Sequence, residues 1–370
     1  MIDITWIVVI CFTGVAIIYL ILEQAILRML RRHFKIVIHV NGTRGKSTVA
    51  RYMDGILREA GYQTFTKTTG TLPIIHHVNG SEEKIKRWGR ANIREQAHMM
   101  MKAYREGAEV LILECMAVDP VLQWYSEHRM LHADINIITN VRLDHIGEMG
   151  SCIEDIARSL ANTASLNTIV VSADQDHGLL IEEAVKKMGA TFVFAPPSSS
   201  MMNIPLLEEN VSVAVKTAQI LGIRDDVIGR GIESYHPDPG AFDIQTVGQT
   251  ILINAFSAND PTSTMALYGA MKKRYSEHKI TWLLNNRGDR PERTLQNIAL
   301  IKKVKPHRVL LAGDNSQYVY RAIRSTTDVY FYHKVEDLLE EDVIFAFGNI
   351  GNQGFKILQA CNEWRKNHGC

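Results

Sequence analysis

A chain of 370 residues and 41.8 kDa has room for two domains, and with 46% apolar residues it can bury substantial cores. Its 41 basic and 40 acidic residues leave a formal net charge of +1, which excludes a polybasic nucleic-acid coat or an acidic solvating tail as its main character. The five cysteines are odd in number and scattered, with no C-x-x-C pair, which excludes a disulfide framework and a cysteine zinc site and fits a reducing compartment.

The first predicted element is residues 4–22 (ITWIVVICFTGVAIIYLIL), nineteen residues without a charge. As a helix rising about 1.5 Å per residue this run reaches roughly 28 Å, close to the hydrocarbon thickness of a bilayer. Asp3 stands where a secretory signal carries a basic residue, and no small-x-small cleavage site follows. Arg28, Arg31, Arg32, His33 and Lys35 come next, so the positive-inside tendency puts the body of the protein in the cytoplasm and the short N-terminus outside. Residues 1–33 are therefore predicted to be a single-pass anchor with a basic flank. A buried helix of a soluble core is the alternative.

Beyond the anchor, strands alternate with helices. Residues 35–40 (KIVIHV) read as a strand, and Val49, Met53, Ile56, Leu57 and Ala60 recur behind it at helical spacing until Gly61. Further strands are predicted at 110–115, 135–139, 168–172 and 191–195, before a loop of two prolines and three serines at 196–200. The segment His236-Pro237-Asp238-Pro239-Gly240 reads as a hinge, followed by strands at 251–255, 280–284, 308–312, 329–332 and 343–347. This alternation predicts an α/β protein with parallel sheets covered on both faces, divided into domains at 34–238 and 239–370.

Between the first strand and helix of the body lies Asn41-Gly42-Thr43-Arg44-Gly45-Lys46-Ser47-Thr48. A strand, a glycine loop, Lys-Ser and a helix form a cradle for polyphosphate. Gly42 and Gly45 let backbone N–H groups turn toward phosphate oxygens, and the helix N-terminus adds its positive end. Lys46 would reach the outer phosphates, and the Ser47 hydroxyl would ligate Mg²⁺. Val40 stands where the full G-x-x-x-x-G-K-[ST] pattern has its first glycine, so the loop is a shortened form. Glu114 ends an apolar strand and reads as a Mg²⁺ ligand or a structural ion pair. Asp144-His145 falls just past the next strand end, where a histidine is a candidate site residue.

These residues resemble the Mur ligase superfamily, in which amide bonds are formed with ATP. The resemblance is closer to the ligase-subunit family of bacterial poly-γ-glutamate synthases, the PgsB or CapB type. It rests on the phosphate loop and on Gly61-Tyr62, Lys67-Thr68-Thr69-Gly70-Thr71, Glu114-Cys115-Met116-Ala117-Val118, Pro237-Asp238-Pro239-Gly240-Ala241, Asn259-Asp260 and Gly348-Asn349-Ile350. It implies a central P-loop ATPase domain, a smaller Rossmann-like C-terminal domain, and elongation of γ-linked polyglutamate through an acyl phosphate. Lys46, Glu114 and His145 are then the expected catalytic residues, with Ser47, Glu114 and His145 on Mg²⁺. Asn41, Gly42, Thr43, Arg44, Gly45, Lys46, Ser47 and Thr48 would bind ATP, with Asn210 near the base. Thr68 and Thr69 lie where relatives approach metal and acceptor. The resemblance also implies glutamate and its growing polymer as substrates, a multi-spanning membrane subunit and an outward-facing accessory subunit as partners. A homo-oligomer is compatible with it, and nucleic acid has no part in it.

Two departures stand out. Many Mur ligases carry a carbamylated lysine after the Asp-His segment, whereas here no lysine occurs between His145 and Lys186. Close relatives also place an arginine just after the hinge, where this chain has Asp243. Arg287, Arg290 and Arg293 are candidates to replace it, binding phosphates or glutamate carboxylates, or else form a plain surface cluster. The glycine run 348–354 suits a cleft wall better than a dinucleotide loop, and Met99 to Met101 read as core packing. A membrane-anchored P-loop ATPase and a nucleotide-binding scaffold without ligase activity are the competing readings.

Overall fold

The structure, a computed structural model, describes residues 4–70, 73–87, 89, 91–197, 205–235, 241–258, 260–351 and 353–368. Thr71, most of the loop at 196–200, the hinge near residue 238 and Asn259 lie outside the described residues. The chain packs as two units, Met1–Ser199 with Glu209–His236 and Ser200–Glu208 with Pro237–Cys370.

The first unit is built on an eight-stranded sheet in the order β4-β3-β2-β5-β1-β6-β7-β8. Its strands are β1 Ile36–Asn41, β2 Thr64–Thr68, β3 Ile74–His76, β4 Glu82–Lys84, β5 Val110–Glu114, β6 Ile135–Ile138, β7 Ile169–Ser172 and β8 Thr191–Phe194. β1 lies in the middle, parallel to β5 on one side and β6 on the other. On one face Ile38, Val40 and Ile112 pack against Val49, Met53 and Ile56 of helix α2, Lys46–Glu59. On the other, Val37, Leu111 and Leu113 pack against Met99 and Met100 of α3, Arg94–Arg105. The alternation of side chains along each strand separates these two cores. It also sends Glu114 and Cys115 to opposite faces.

The second unit holds a six-stranded sheet in the order β13-β12-β11-β14-β10-β9. Its strands are β9 Asp243–Val247, β10 Thr250–Asn254, β11 Ile280–Asn286, β12 Arg308–Gly313, β13 Asp328–Phe331 and β14 Val343–Phe347. Trp282, Phe345 and Phe347 form an aromatic core with Tyr268.

Alternating strands and helices predict parallel sheets throughout, and here the structure corrects the sequence. Both sheets are mixed, because β3, β4 and β9 run antiparallel to their neighbours. β9 turns into β10 through Gly248, whose φ of 64° suits a two-residue hairpin. Such hairpins need no crossover helix, so helix-strand alternation carries no trace of them.

The N-terminal helix α1 runs from Ile4 to His33. Among the described residues it is the one helix long and apolar enough to cross a membrane, with a mean hydropathy of 2.1 in its best window. Its outer part leaves Trp6, Phe12, Ile18 and Ile21 exposed, whereas Leu27 and Leu30, with Phe34 just beyond, are buried in the core under β1 and β5. Tyr19 and Glu23 both meet Arg94, at the start of α3. The last third of α1 is therefore part of the first unit. A chain beginning at residue 24 should keep its fold. One beginning at residue 35 should melt roughly 10 °C or more lower, because each of three buried side chains contributes about 1.5–3 kcal/mol. Equal melting temperatures of the two truncations would refute this.

Candidate active site

The phosphate loop leaves β1 at Asn41 and enters α2 at Lys46. Its shape is imposed by the end of β6. The Asn140 side-chain oxygen accepts from the Thr43 hydroxyl (2.8 Å) and the Arg44 N–H (3.0 Å), and the Thr139 hydroxyl donates to the Arg44 carbonyl. Gly42 and Gly45 have φ of 129° and 81°, left-handed conformations that favour glycine. A Cβ on Gly42 would lie 2.0 Å from Thr139 Oγ1, and one on Gly45 2.2 Å from Asn210 Oδ1.

The predicted loop residues divide by where their side chains go. Asn41 turns inward, donating to Gln123 at 2.9 Å and accepting from the Gly42 N–H, so it braces the loop from below. Lys46 folds back, its Nζ 2.6 Å from the Gly42 carbonyl. Arg44 pairs with Asp144 at 3.0 Å. Thr48 lies half-buried in the first turn of α2.

Ser47 and Glu114 come together. One carboxylate oxygen of the buried Glu114 accepts from the Ser47 hydroxyl at 2.7 Å and from the Thr69 N–H at 2.6 Å. Two hard oxygen donors converging at the mouth of a phosphate loop match the chemistry a Mg²⁺-class ion takes. The neighbouring Thr68 hydroxyl is buried without a hydrogen-bond partner. His145 holds a left-handed backbone (φ 50°) and is half-buried. Burial lowers its pKa and the Lys46 charge lowers it further, against Asp144, so its imidazole is neutral and able to ligate at pH 7.

Asn210 lies in helix Pro205–Ile220 against Gly45, with its amide oxygen buried and unpartnered. Beside it is a network that sequence reading missed. Arg142 reaches Glu209 (3.3 Å), Asp174 (3.5 Å) and Asp176 (3.6 Å). Asp174, Asp176 and His177 lie close enough to suggest a metal site. Asp174, however, accepts from the backbone N–H groups of Val141, Asp176 and His177, and the Arg142 guanidinium already lies against both carboxylates. It is an ion-pair network. Asp174 follows the end of β7, the same strand-end signal that Glu114 carries.

Arg287 and Arg290 belong to the second unit. Arg287 grips Asp289 through two nitrogens, at 2.6 and 2.9 Å, and Arg290 is the residue just before helix Pro291–Val304, its side chain making no capping bond. Asp243 accepts from its own neighbours, the Ile244 N–H and the Gln245 amide. Asn349, in the glycine run, offers its carbonyl to the buried Asn285 amide.

Two predictions follow from this geometry. Gly42→Ala should abolish nucleotide binding while leaving a folded protein, as read by calorimetric titration with ADP; wild-type affinity would refute the close approach to Thr139. Glu209 is pushed up to about 7 by burial, against the pull of Arg142. A carboxyl raised in the folded state adds stability that is full below its unfolded value of 4.5 and is lost as pH rises through 7. Relative to Glu209→Gln, the wild type should therefore lose melting temperature from pH 5 to pH 8. A constant difference would show that Glu209 does not titrate there.

Comparison with known proteins places the chain. Residues 40–224 match the Mur ligase middle domain, and residues 242–363 match the poly-γ-glutamate synthase CapB C-terminal domain. The chain is 29% identical over 368 residues to PGA synthase CapB of Bacillus subtilis (strain 168), covering 90% of this chain and 94% of that protein. It is also 29% identical over 379 residues to capsule biosynthesis protein CapB of Bacillus anthracis, covering 95% and 81%. A bifunctional folylpolyglutamate synthase/dihydrofolate synthase from Yersinia pestis, solved with AMPPNP and a Mn ion, shares the fold. Its TM-score is 0.70 at 16% identity, over 94% of this chain and 92% of that one. The chain belongs to the Mur ligase family of ATP-dependent acid–amino-acid ligases, with a C-terminal domain of the poly-γ-glutamate synthase CapB type.

Proposed function

We propose that this ligase joins glutamate in γ-linkage, building poly-γ-glutamate at the cytoplasmic face of a membrane. The substrate is supported by the two CapB relatives, which align with nearly the whole chain. The chemistry is carried by one observation, the convergence of Ser47 and Thr69 on a single oxygen of Glu114 beside the phosphate loop.

In this reading the loop N–H groups of residues 42–48 and Lys46 receive the phosphates of ATP, with Lys46 releasing the Gly42 carbonyl to do so. Ser47 and Glu114 would hold Mg²⁺, and the neutral His145 a second ion. Bound there, the ions offset the repulsion between phosphate oxygens and an incoming carboxylate. A carboxylate oxygen of the growing chain attacks the γ-phosphorus, the bond to the β-phosphate oxygen breaks, and ADP leaves. The uncharged amine of glutamate then attacks the acyl carbon, loses a proton, and expels phosphate. No side-chain nucleophile is needed, so positioning and charge supply the rate. Asn210 would face the nucleotide base, Thr68 and Thr69 the acceptor side of the site, and Arg287 and Arg290 carboxylates or phosphates.

We divide the chain into an anchor at 1–33, an ATP-binding domain at 34–238 and a C-terminal domain at 239–370. The exposed apolar surface of α1 suits lipid, and the basic residues at its C-terminal end support an orientation with the N-terminus outside. A polymer bound for export gives such an anchor a purpose. A multi-spanning subunit and an outward-facing accessory subunit are the partners this role calls for.

Membranes carrying the protein and these partners should release phosphate from ATP and Mg²⁺ faster when glutamate is added, with labelled glutamate entering acid-insoluble polymer. Lys46→Ala and Glu114→Ala should each lower that rate by about 100-fold or more. Turnover indifferent to glutamate would instead mark a membrane ATPase, and ATP binding without turnover a scaffold.

A further inference from the structure

The start of α3 carries polar contacts that the chemistry above leaves without a role. Arg94, its first residue, donates to the Tyr19 hydroxyl and to Glu23 (2.9 Å), with its guanidinium 5.6 Å from the centre of the Tyr19 ring. At the other end of both helices, Tyr104 packs edge-on against His33, ring centres 4.8 Å apart. The two helices therefore run side by side in the same direction. The uncharged run of α1 ends at Leu22, and Glu23 is the first charge after it. Arg94 lies level with that boundary.

The chain around this boundary is basic. Residues 84–94 carry Lys84, Lys86, Arg87, Arg90 and Arg94 and no acidic side chain, a local excess in a protein whose formal net charge is only +1. Arg87 grips Glu95 through two nitrogens, at 2.8 and 2.9 Å, which fastens the segment before α3 to the same end of that helix. Lys86, next to it, is exposed, and so is Arg28 on α1. At the rise of an α-helix Arg28 lies about 9 Å along the axis from Leu22, within a Debye length and the reach of its own side chain. The Arg94 side chain is 54% exposed despite its two partners.

A bilayer that takes up the uncharged run has its headgroups at this boundary, where basic side chains meet phosphate oxygens and tyrosine is enriched. We propose that the start of α3, with Lys86 and Arg28, rests on the anionic headgroups of the leaflet that α1 enters, so that the first unit lies against the membrane surface. The inference rests on the reading of α1 as a membrane span. Each basic side chain near an anionic leaflet favours contact by about 5-fold, so Arg28, Lys86 and Arg94 together favour it by about 100-fold over neutral lipid. The apolar helix and the basic face are continuous, and one leaflet satisfies both.

The test is amide hydrogen exchange on the full chain in nanodiscs of phosphatidylcholine alone and of equal parts phosphatidylcholine and phosphatidylglycerol. Residues 84–94 should exchange more slowly in the mixed discs, by about 5-fold or more at low salt. The difference should fade in about 1 M salt, which screens charges beyond a few ångströms. Arg28→Glu combined with Lys86→Glu should remove the lipid difference, while β1 and β5 keep wild-type protection and so report an intact fold. If residues 4–22 are protected in both discs but 84–94 exchange alike in the two lipids, the surface contact is overturned and the span stands. If residues 4–22 exchange as freely as an unprotected chain, the span falls and the proposal falls with it. Slowing at 84–94 that needs native membranes with the partner subunits, and is absent from discs of lipid alone, would give this face to a protein and also overturn the proposal.

Discussion

The end of β6 holds the phosphate loop, and the rest of the site depends on that contact. A loop with two glycines in left-handed conformations gains nothing from its own sequence to hold one shape. Here Thr139 and Asn140 supply the missing constraint. They bond the hydroxyl of Thr43, the N–H of Arg44 and the carbonyl of Arg44, so the loop is pinned to a neighbouring strand. Lys46 and Ser47 start α2 in a fixed direction as a result, and Ser47 meets Glu114 across the gap between β1 and β5. The Arg44–Asp144 pair extends the same brace to the segment that carries His145.

Polar groups are buried on both faces of the central strands. On the α2 face Glu114, at the end of β5, is held by a hydroxyl and a backbone N–H. On the other face His39–Glu127, Asn41–Gln123 and Lys67–Glu95 form a layer beneath the site, each with a partner within 3.1 Å. Desolvation lowers the Lys67 pKa against the pull of Glu95, which Arg87 also holds through two nitrogens. Removing one partner of such a pair leaves an uncompensated buried charge, so these positions resist single changes more than apolar neighbours do.

The apolar N-terminal helix belongs to this layer as well. Its apolar outer part has no protein around it, yet Leu27 and Leu30 are core residues, and Arg94 ties Tyr19 and Glu23 to the start of α3. A helix whose last turns are packed inside a domain has its direction fixed by that domain, as a flexible segment would not.

Much of this was legible in the sequence. β-branched runs bounded by turn residues marked β1, β5, β6, β7 and the parallel strands of the second unit, and strand-glycine-Lys-Ser-helix marked the phosphate loop, because these signals are local and periodic. The edge hairpins were not legible, since short antiparallel strands such as Glu82–Lys84 are exposed and polar and carry no burial pattern. Nor were the partners. Composition cannot say that Asn41 faces Gln123, that Arg142 gathers three carboxylates from 32 to 67 residues away, or that His39 and Glu127 are buried as a pair on the opposite face of the sheet. The sequence by itself determined which residues can bind phosphate, cross a bilayer or end a strand, because those properties reside in a few neighbouring side chains. Only the tertiary structure decided which of them meet, because contacts across β1, β5 and β6 depend on strand order and register, which short-range patterns do not encode.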